Sequence, residues 1–414
     1  MAMTNEEREA LISEIKQTVN NSIDLKKDIS DTEIKEAITQ AVFERSEKSY
    51  LSIAEKQDII TAVFNSMRRL DVLQPLVDDK SITEIMINGP DNIFVEKDGK
   101  VFKTDVCFES RQKLEDVIQS IVSKVNRTVN ESSPIVDARL KDGSRVNVVL
   151  PPIALNGPVM TIRKFPDKPI TIEQLTELGS ITEEAAQVLR RMVIAKYNIF
   201  ICGGTGSGKT TFLNALSNFI PQDERIVTIE DSAELQIVNI ENIVRLETRN
   251  ANTEGKGEIT IRDLIKASLR MRPERIIVGE VRGAEALDML QAMNTGHDGS
   301  ISTGHANSTK DMLSRLETMV LCGAQIPLEA IRQQIASAID ILIHLSRLRD
   351  KSRRVMEITE VVEYSDGEIK LNPLFVFEEE GETADKKVIG TLKRTKNGMV
   401  HKYKFKLAGV SDEV

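Results

Sequence analysis

The sequence Gly203-Gly-Thr-Gly-Ser-Gly-Lys-Thr210 decides the fold, because it matches the phosphate-binding pattern G-x-x-x-x-G-K-[ST] in full. The apolar run Ile199-Phe-Ile-Cys202 before it predicts a buried strand, and Phe212, Leu213 and Leu216 after it suit a helix. Glycines allow backbone N–H groups to surround phosphate oxygens, and a helix N-terminus adds partial positive charge there. The alternative is an ordinary glycine-rich turn. Such a turn does not require a buried strand before it and a helix after it, whereas a phosphate-binding loop does. We therefore predict a nucleoside triphosphate site.

Each polar residue of this motif has a predicted role. Lys209 would reach the β- and γ-phosphates, and the Thr210 hydroxyl would hold Mg²⁺. The predicted phosphate-binding residues are Gly203, Gly204, Thr205, Gly206, Ser207, Gly208, Lys209, Thr210 and Thr211.

Composition restricts the class of protein. The 414 residues suffice for two or three domains, and the net charge of −9 argues against a protein that wraps nucleic acid. Cys107, Cys202 and Cys322 form no C-x-x-C pair, which predicts neither a zinc site nor disulfides and suits a reducing cytosol. The acidic N-terminus and the absence of 18 consecutive apolar residues predict neither a signal peptide nor a membrane span. Membrane association would therefore need a partner.

The chain divides into five predicted segments. Residues 1–74 form a helical segment, with S-x-x-E capping boxes at Ser30 and Ser52. A self-contained bundle is favoured there over a helix face that docks on a partner. Residues 75–165 alternate short strands, turns and one helix, which predicts an α+β domain. Residues 166–170, with two prolines, form a linker.

The second half predicts a doubly wound α/β domain over residues 171–362, because strands and helices alternate around the phosphate loop. Residues 363–414 are predicted to be an accessory tail. Between Lys386 and Lys406 this tail has eight Lys or Arg and no acidic residue. A solvated charged segment is favoured there over contact with anionic lipid.

Two further strands end in carboxylates. Val227-Thr-Ile-Glu-Asp231 places Glu230 and Asp231 at the sheet edge that carries the phosphate loop, where they could orient water, assist Mg²⁺, cap a helix or form a salt bridge. Arg275-Ile-Ile-Val-Gly-Glu280 resembles a Walker B strand in which Gly279 replaces the usual aspartate. Glu280 is therefore the leading candidate to polarise the attacking water.

Histidines and arginines complete the candidate site. His297 and His305 lie in polar loops on either side of Ile301, and this parallel placement favours phosphate sensing or water positioning over a structural role. Their spacing does not fit a metal site with cysteines or acids. The arginines include residues that could act as fingers across a subunit interface.

These motifs together resemble the motor ATPase family of type II and type IV secretion and pilus systems. Within this family, the chain resembles the CpaF/TadA-type branch, which drives tight-adherence (Flp) pili. The matching runs are Gly203–Thr211 as Walker A, Thr228–Glu234 as the Asp box, Arg272–Gly283 as an atypical Walker B, Gly296–Asn307 as the His box, and Asp137–Asn147 with Thr161–Lys164 in the preceding domain.

The resemblance implies a PAS-like α+β domain followed by a RecA-like domain, with ATP and Mg²⁺ bound between them in a ring of six subunits. It implies catalytic roles for Glu280, Glu230, His297 and His305, and Mg²⁺ ligation by Thr210, Glu230 and Glu280. Arg139, Arg145 and Arg163 match family arginines that approach the nucleotide.

Three functions follow from these observations. The first is a cytoplasmic hexameric ATPase that works on a membrane platform protein to assemble, or also retract, a pilus or a secretion machine. The second is a conjugation or DNA-uptake ATPase of the same superfamily, against which the acidic charge argues mildly. The third is a nucleotide-gated scaffold with little hydrolysis, which the intact Lys209, Glu280 and histidines disfavour.

Overall fold

The computed structural model describes residues 3–22, 29–48, 50–97, 99–125, 127–165, 169–251 and 256–412. The chain forms two compact units, Met1–Pro166 and Asp167–Val414. Most of the predicted linker 166–170 lies outside the described residues. No helix in the described ranges is long and apolar enough to cross a membrane.

The first unit begins with packed helices and continues into a six-stranded antiparallel sheet. Ser30 and Ser52 both accept the backbone N–H three residues on, as their capping boxes predict. The sheet order is β3-β2-β1-β6-β5-β4. The elements are α1 (Asn5–Ser22), α2 (Asp31–Lys48), α3 (Ile53–Arg68), a 3₁₀ turn (Asp71–Leu73), α4 (Gln74–Asp78), β1 (Ile82–Asn88), β2 (Ile93–Lys97), β3 (Lys100–Lys103), α5 (Arg111–Ser123), β4 (Ile135–Arg139), β5 (Arg145–Val149) and β6 (Val159–Arg163).

The first half of the second unit carries the phosphate loop and the acidic strand ends. Its elements are α6 (Ile172–Glu177), α7 (Glu183–Ile194), β7 (Ile199–Gly203), α8 (Lys209–Ser217), β8 (Ile226–Glu230), β9 (Ile243–Glu247), α9 (Ile261–Ser268), β10 (Arg275–Val281), α10 (Glu285–Asn294) and β11 (Ile301–Gly304). The second half consists of α11 (Thr309–Gly323), α12 (Leu328–Ala338), β12 (Ile341–Arg347), β13 (Arg353–Ser365), β14 (Glu368–Glu382), β15 (Val388–Arg394) and α13 (Tyr403–Ala408).

The second unit is built on a nine-stranded sheet of order β15-β14-β13-β12-β7-β11-β10-β8-β9. Its six strands from β12 to β9 are parallel, while β13, β14 and β15 add an antiparallel edge. Strands β7 and β8 are buried along their whole length because helices cover both faces of a parallel sheet. Two large apolar clusters pack against this sheet. The predicted α/β fold with a RecA-like domain and an N-terminal helical segment is confirmed.

The C-terminal segment differs from the predicted accessory tail. β13 runs across residue 362, and β14 and β15 extend the same sheet. The basic stretch is also not a freely solvated segment. Phe405 is fully buried against Tyr197, with ring centroids 4.8 Å apart, and Lys404 is held by two carboxylates. The apolar residues between the lysines therefore bring this stretch onto the second unit.

Candidate nucleotide-binding site

The phosphate loop joins the end of β7 to the start of α8. Gly206 and Gly208 both have positive φ, +72° and +95°, which residues with a Cβ rarely adopt. Gly203 is required for a different reason: a Cβ there would lie 2.3 Å from the carbonyl oxygen of Leu345 on β12. The glycines thus permit both the curvature of the loop and its close contact with the neighbouring strand.

Lys209 lies at the first position of α8 and points back into the loop. Its Nζ donates to the carbonyl oxygens of Gly203 (3.0 Å) and Gly204 (3.1 Å), and it is 3.5 Å from Nδ1 of His305. Burial lowers the pKa of Lys209, while the nearby Glu280 carboxylate acts in the opposite direction. The ammonium group of Lys209 is therefore partly desolvated and lies where an anion bound in the loop would contact it.

Glu280 is the penultimate residue of β10 and lies between the side chains of His305 and Arg282. Its Oε1 lies 2.7 Å from Nε2 of His305, and its Oε2 accepts a hydrogen bond from Nε of Arg282 (2.9 Å). His305 directly follows β11, whose last residue pairs with Cys202 of β7, and this brings it beside Lys209. Burial and the charge of Lys209 lower the pKa of His305. Lys209, Glu280 and His305 therefore lie close together near the carboxyl ends of the parallel strands β7, β10 and β11.

Glu230 is the buried last residue of β8, and its carboxyl group faces the backbone of the loop that follows β8. Its Oε2 accepts hydrogen bonds from the N–H groups of Glu234 (2.7 Å) and Leu235 (3.0 Å). Burial raises the pKa of Glu230 to about 7, against the effect of those two bonds. Asp231 is exposed, and its Oδ1 accepts a bond from the Thr248 hydroxyl (2.9 Å).

The two histidines that were predicted to be catalytic lie at opposite ends of β11. His297 precedes β11 and His305 follows it, so the length of the strand separates them and His297 lies at the opposite edge of the parallel sheet. Its Nδ1 is 3.2 Å from the Ala292 carbonyl oxygen. The structure does not bring His297 to Lys209 and Glu280, and its catalytic role stays a prediction.

The three predicted arginines of the first unit form a row across its sheet. Arg139 pairs with Arg145 across β4 and β5, and Arg145 pairs with Arg163 across β5 and β6. Arg163 also pairs with Glu84 on β1. Their proposed approach to a nucleotide stays a prediction.

Two arginines next to the loop were not singled out from the sequence. Arg353 Nε donates to the carbonyl oxygen of Gly206 (2.9 Å), and Nη1 of Arg347 would lie 3.7 Å from a Cβ at Gly206. Both belong to the hairpin between β12 and β13. No local motif marks them, because they reach the loop only through the pairing of β12 with β7, two strands more than 140 residues apart in the sequence.

The residues present fit a nucleotide phosphate with Mg²⁺ only in part. Loop glycines whose Cβ atoms would be strained or obstructed, together with Lys209, form an anion cradle. Thr210 and Glu280 are suited to Mg²⁺, which proteins usually hold through one or two carboxylates plus substrate phosphates. Glu230 fits less well, since its carboxyl group binds backbone N–H groups and has a raised pKa. No group of three His, Cys, Asp or Glu in the described ranges could hold a metal by itself.

The fold and the loop define a P-loop nucleotide-binding protein of the RecA-like class. The sequence model described as "Type II/IV secretion system protein" matches residues 67–389. The chain therefore belongs to the type II/IV secretion system protein family.

Known relatives support the same assignment. A putative conjugal transfer protein of Mycobacterium tuberculosis is 35% identical over 305 residues, covering 72% of this chain and 86% of the relative. The type IV secretion system protein VirB11 of Brucella suis is 33% identical, covering 67% of this chain and 84% of VirB11. The solved structure of the pilus retraction motor PilT with bound ADP is similar in fold, with a TM-score of 0.52 at 19% identity over 70% of this chain and 82% of PilT.

Proposed function

We propose that this protein is a Mg²⁺-dependent ATPase that acts as the motor of a pilus or secretion machine. The observation that carries the proposal is the meeting of Lys209, Glu280 and His305 at the phosphate loop. A scaffold that only binds nucleotide needs the loop and the lysine. It does not need a carboxylate and a histidine held 2.7 Å apart beside them.

The chemistry expected of these residues is positioning and charge stabilisation during phosphoryl transfer to water. Lys209 would bind the terminal phosphates, and Glu280 would orient the attacking water. His305, with its lowered pKa, would be neutral near pH 7 and hold a hydrogen bond to that water or to phosphate. Thr210 and Glu280 would hold Mg²⁺, which when bound neutralises charge on the phosphates.

A ring of six subunits that works at the cytoplasmic face of a membrane platform protein is part of the proposal. It rests on the resemblance to motor ATPases, as does the assignment to Flp-type pilus assembly. A nucleotide with different affinities for open and closed states of its subunit would convert binding and hydrolysis into movement. Arg139, Arg145, Arg163 and His297 would then act at sites completed in the assembly.

Conjugal transfer is the second candidate. It is favoured by the 35% identity to a protein described as a putative conjugal transfer protein. DNA-stimulated ATP hydrolysis that falls steeply with salt would support it. ATP hydrolysis indifferent to DNA, together with loss of pilin export in a Lys209→Ala strain, would support the pilus motor.

The deciding experiment measures the ATP hydrolysis rate per subunit against protein concentration, with molecular mass measured in parallel. We expect the rate to rise as a six-subunit species appears and to collapse in Glu280→Gln. Glu363→Gln, an exposed change on β13, serves as the matched control and should behave as wild type. Equal rates in wild type and Glu280→Gln would contradict the proposal.

A further inference from the structure

We propose that Arg347 and Arg353 form a second part of the nucleotide site, in which both guanidinium groups bind the phosphates of the nucleotide. This inference rests on the proposed nucleotide-binding function. It adds two residues from the hairpin between β12 and β13 to the phosphate loop.

The hairpin lies against the two glycines of positive φ. Arg353 Nε donates to the Gly206 carbonyl oxygen at 2.9 Å, and Arg353 Cδ would lie 3.3 Å from a Cβ at Gly208. Nη1 of Arg347 would lie 3.7 Å from a Cβ at Gly206. Both side chains therefore follow the surface of the loop that is predicted to bind phosphate.

The two arginines also face each other directly. Arg347 and Arg353 are Cα partners in the antiparallel ladder of β12 and β13. Like charges at directly opposed positions destabilise a sheet. Among the described residues, neither guanidinium forms an ion pair with a carboxylate. A bound polyanion would relieve the repulsion between them.

Neighbouring arginines of the same hairpin show the contrast. Arg349, in the turn, forms ion pairs with Glu379 (2.6 Å) and Glu382 (3.1 Å). Arg354, the next residue on β13, donates to the carbonyl oxygen of Gly179. The side chains of Arg349 and Arg354 thus point away from the phosphate loop, whereas the exposed side chains of Arg347 and Arg353 lie against Gly206 of that loop.

Phosphate is the ligand chemistry that this arrangement suits. A guanidinium group has five N–H donors in a planar fork that matches phosphate oxygens, and the bond to Gly206 takes one donor of Arg353. The same bond fixes the guanidinium relative to the loop. The site would therefore join backbone N–H groups, Lys209 and two guanidinium groups around one polyphosphate.

The test compares Arg347→Gln and Arg353→Gln with Arg349→Gln as the matched control. Equilibrium titrations would measure Kd for Mg²⁺–ATP and for inorganic tripolyphosphate on the full chain, with thermal unfolding as a check of folding. We expect each of the first two variants to weaken both ligands about tenfold or more. We expect Arg349→Gln to stay within about twofold of wild type.

The outcomes separate this inference from the proposed function. Wild-type affinity in Arg347→Gln and Arg353→Gln, with binding lost in Lys209→Ala, would overturn the inference and leave the nucleotide site intact. Weaker ATP binding with unchanged tripolyphosphate binding would also overturn it, since the contact would then be with the nucleoside. No ATP binding by the wild type would overturn both. If Arg353→Gln is poorly folded, Arg347→Gln alone decides the test. In the described structure the Arg353 side chain donates a hydrogen bond to the Gly206 carbonyl oxygen, and its loss could disturb the loop.

Discussion

Gly279 leaves the space that the side chain of Glu230 occupies. The two residues are neighbours on β10 and β8, and a Cβ at position 279 would lie 2.9 Å from Glu230 Cγ. The aspartate usual at this point of a Walker B strand could not be accommodated while Glu230 keeps its bonds to Glu234 and Leu235. The missing side chain at position 279 therefore leaves room for Glu230 to be buried beneath the loop that follows β8.

We expect Gly279→Ala and Gly279→Asp to destabilise the protein. Gly279 is half-buried and packs against the buried Glu230, and overpacking typically costs about 1–3 kcal/mol. The larger aspartate also places a second carboxyl group beside Glu230. The free energy of unfolding by urea is the measurement. Gly279→Asp should also lower ATP hydrolysis, because β10 carries Glu280 one residue later.

A double-mutant cycle tests the stated cause. If the contact with Glu230 produces the loss, Gly279→Ala should cost clearly less in a Glu230→Ala background, giving a coupling energy of about 1 kcal/mol or more. Additive losses would show that the strain at position 279 comes from another neighbour.

Glu230 should make stability depend on pH. Its folded-state pKa of about 7 lies above its ordinary value, so the folded protein binds the proton more tightly than the unfolded chain does. The contribution of Glu230 to the free energy of unfolding is therefore fully present below the ordinary carboxyl pKa, and it is lost as pH rises to about 7. The shift corresponds to roughly 3 kcal/mol.

Glu230→Gln isolates this effect, because the amide oxygen can still accept the N–H groups of Glu234 and Leu235. Between pH 5 and pH 8, the unfolding free energy of wild type should fall relative to that of the variant. Parallel curves for the two proteins would mean that Glu230 titrates normally in the folded state.

His305 should affect hydrolysis through its neutral form. Its pKa is lowered by burial and by Lys209, so His305 should become protonated at a lower pH than an ordinary histidine. We expect His305→Asn to reduce kcat about 100-fold, the scale of losing one hydrogen bond to the reacting phosphate. The acidic limb of the pH–rate profile that reflects this protonation should disappear in the variant. A limb that persists unchanged would assign that titration to another group.

The sequence predicted those parts of the fold and site that depend on local pattern. The strand, glycine loop and helix around Lys209 follow from one continuous motif, and Glu280 follows from its place at the end of an apolar strand. His297 could not be placed in this way, because the edge at which it lies depends on the direction of β11. Arg353 reaches Gly206 only through the order of β7 and β12 in the sheet, which no local pattern encodes.

Lys404 joins the C-terminal segment to the loops that precede β11 and β12, at the amino ends of the central strands. Its Nζ donates to Asp298 Oδ1 and Asp340 Oδ2, both at 2.7 Å. Burial raises the pKa of Asp340, and Lys404 opposes that shift. Lys404→Met should cost about 1–2 kcal/mol of unfolding free energy near pH 8, because it leaves a half-buried carboxylate without its cation. The loss should be smaller at pH 5 than at pH 8, since the raised pKa moves Asp340 toward its neutral form as pH falls, and a neutral carboxyl group needs the cation less. Asp340→Asn combined with Lys404→Met should be more stable than Lys404→Met alone at pH 8. A loss that is the same at both pH values would show that Lys404 stabilises the segment by packing and not by its charge.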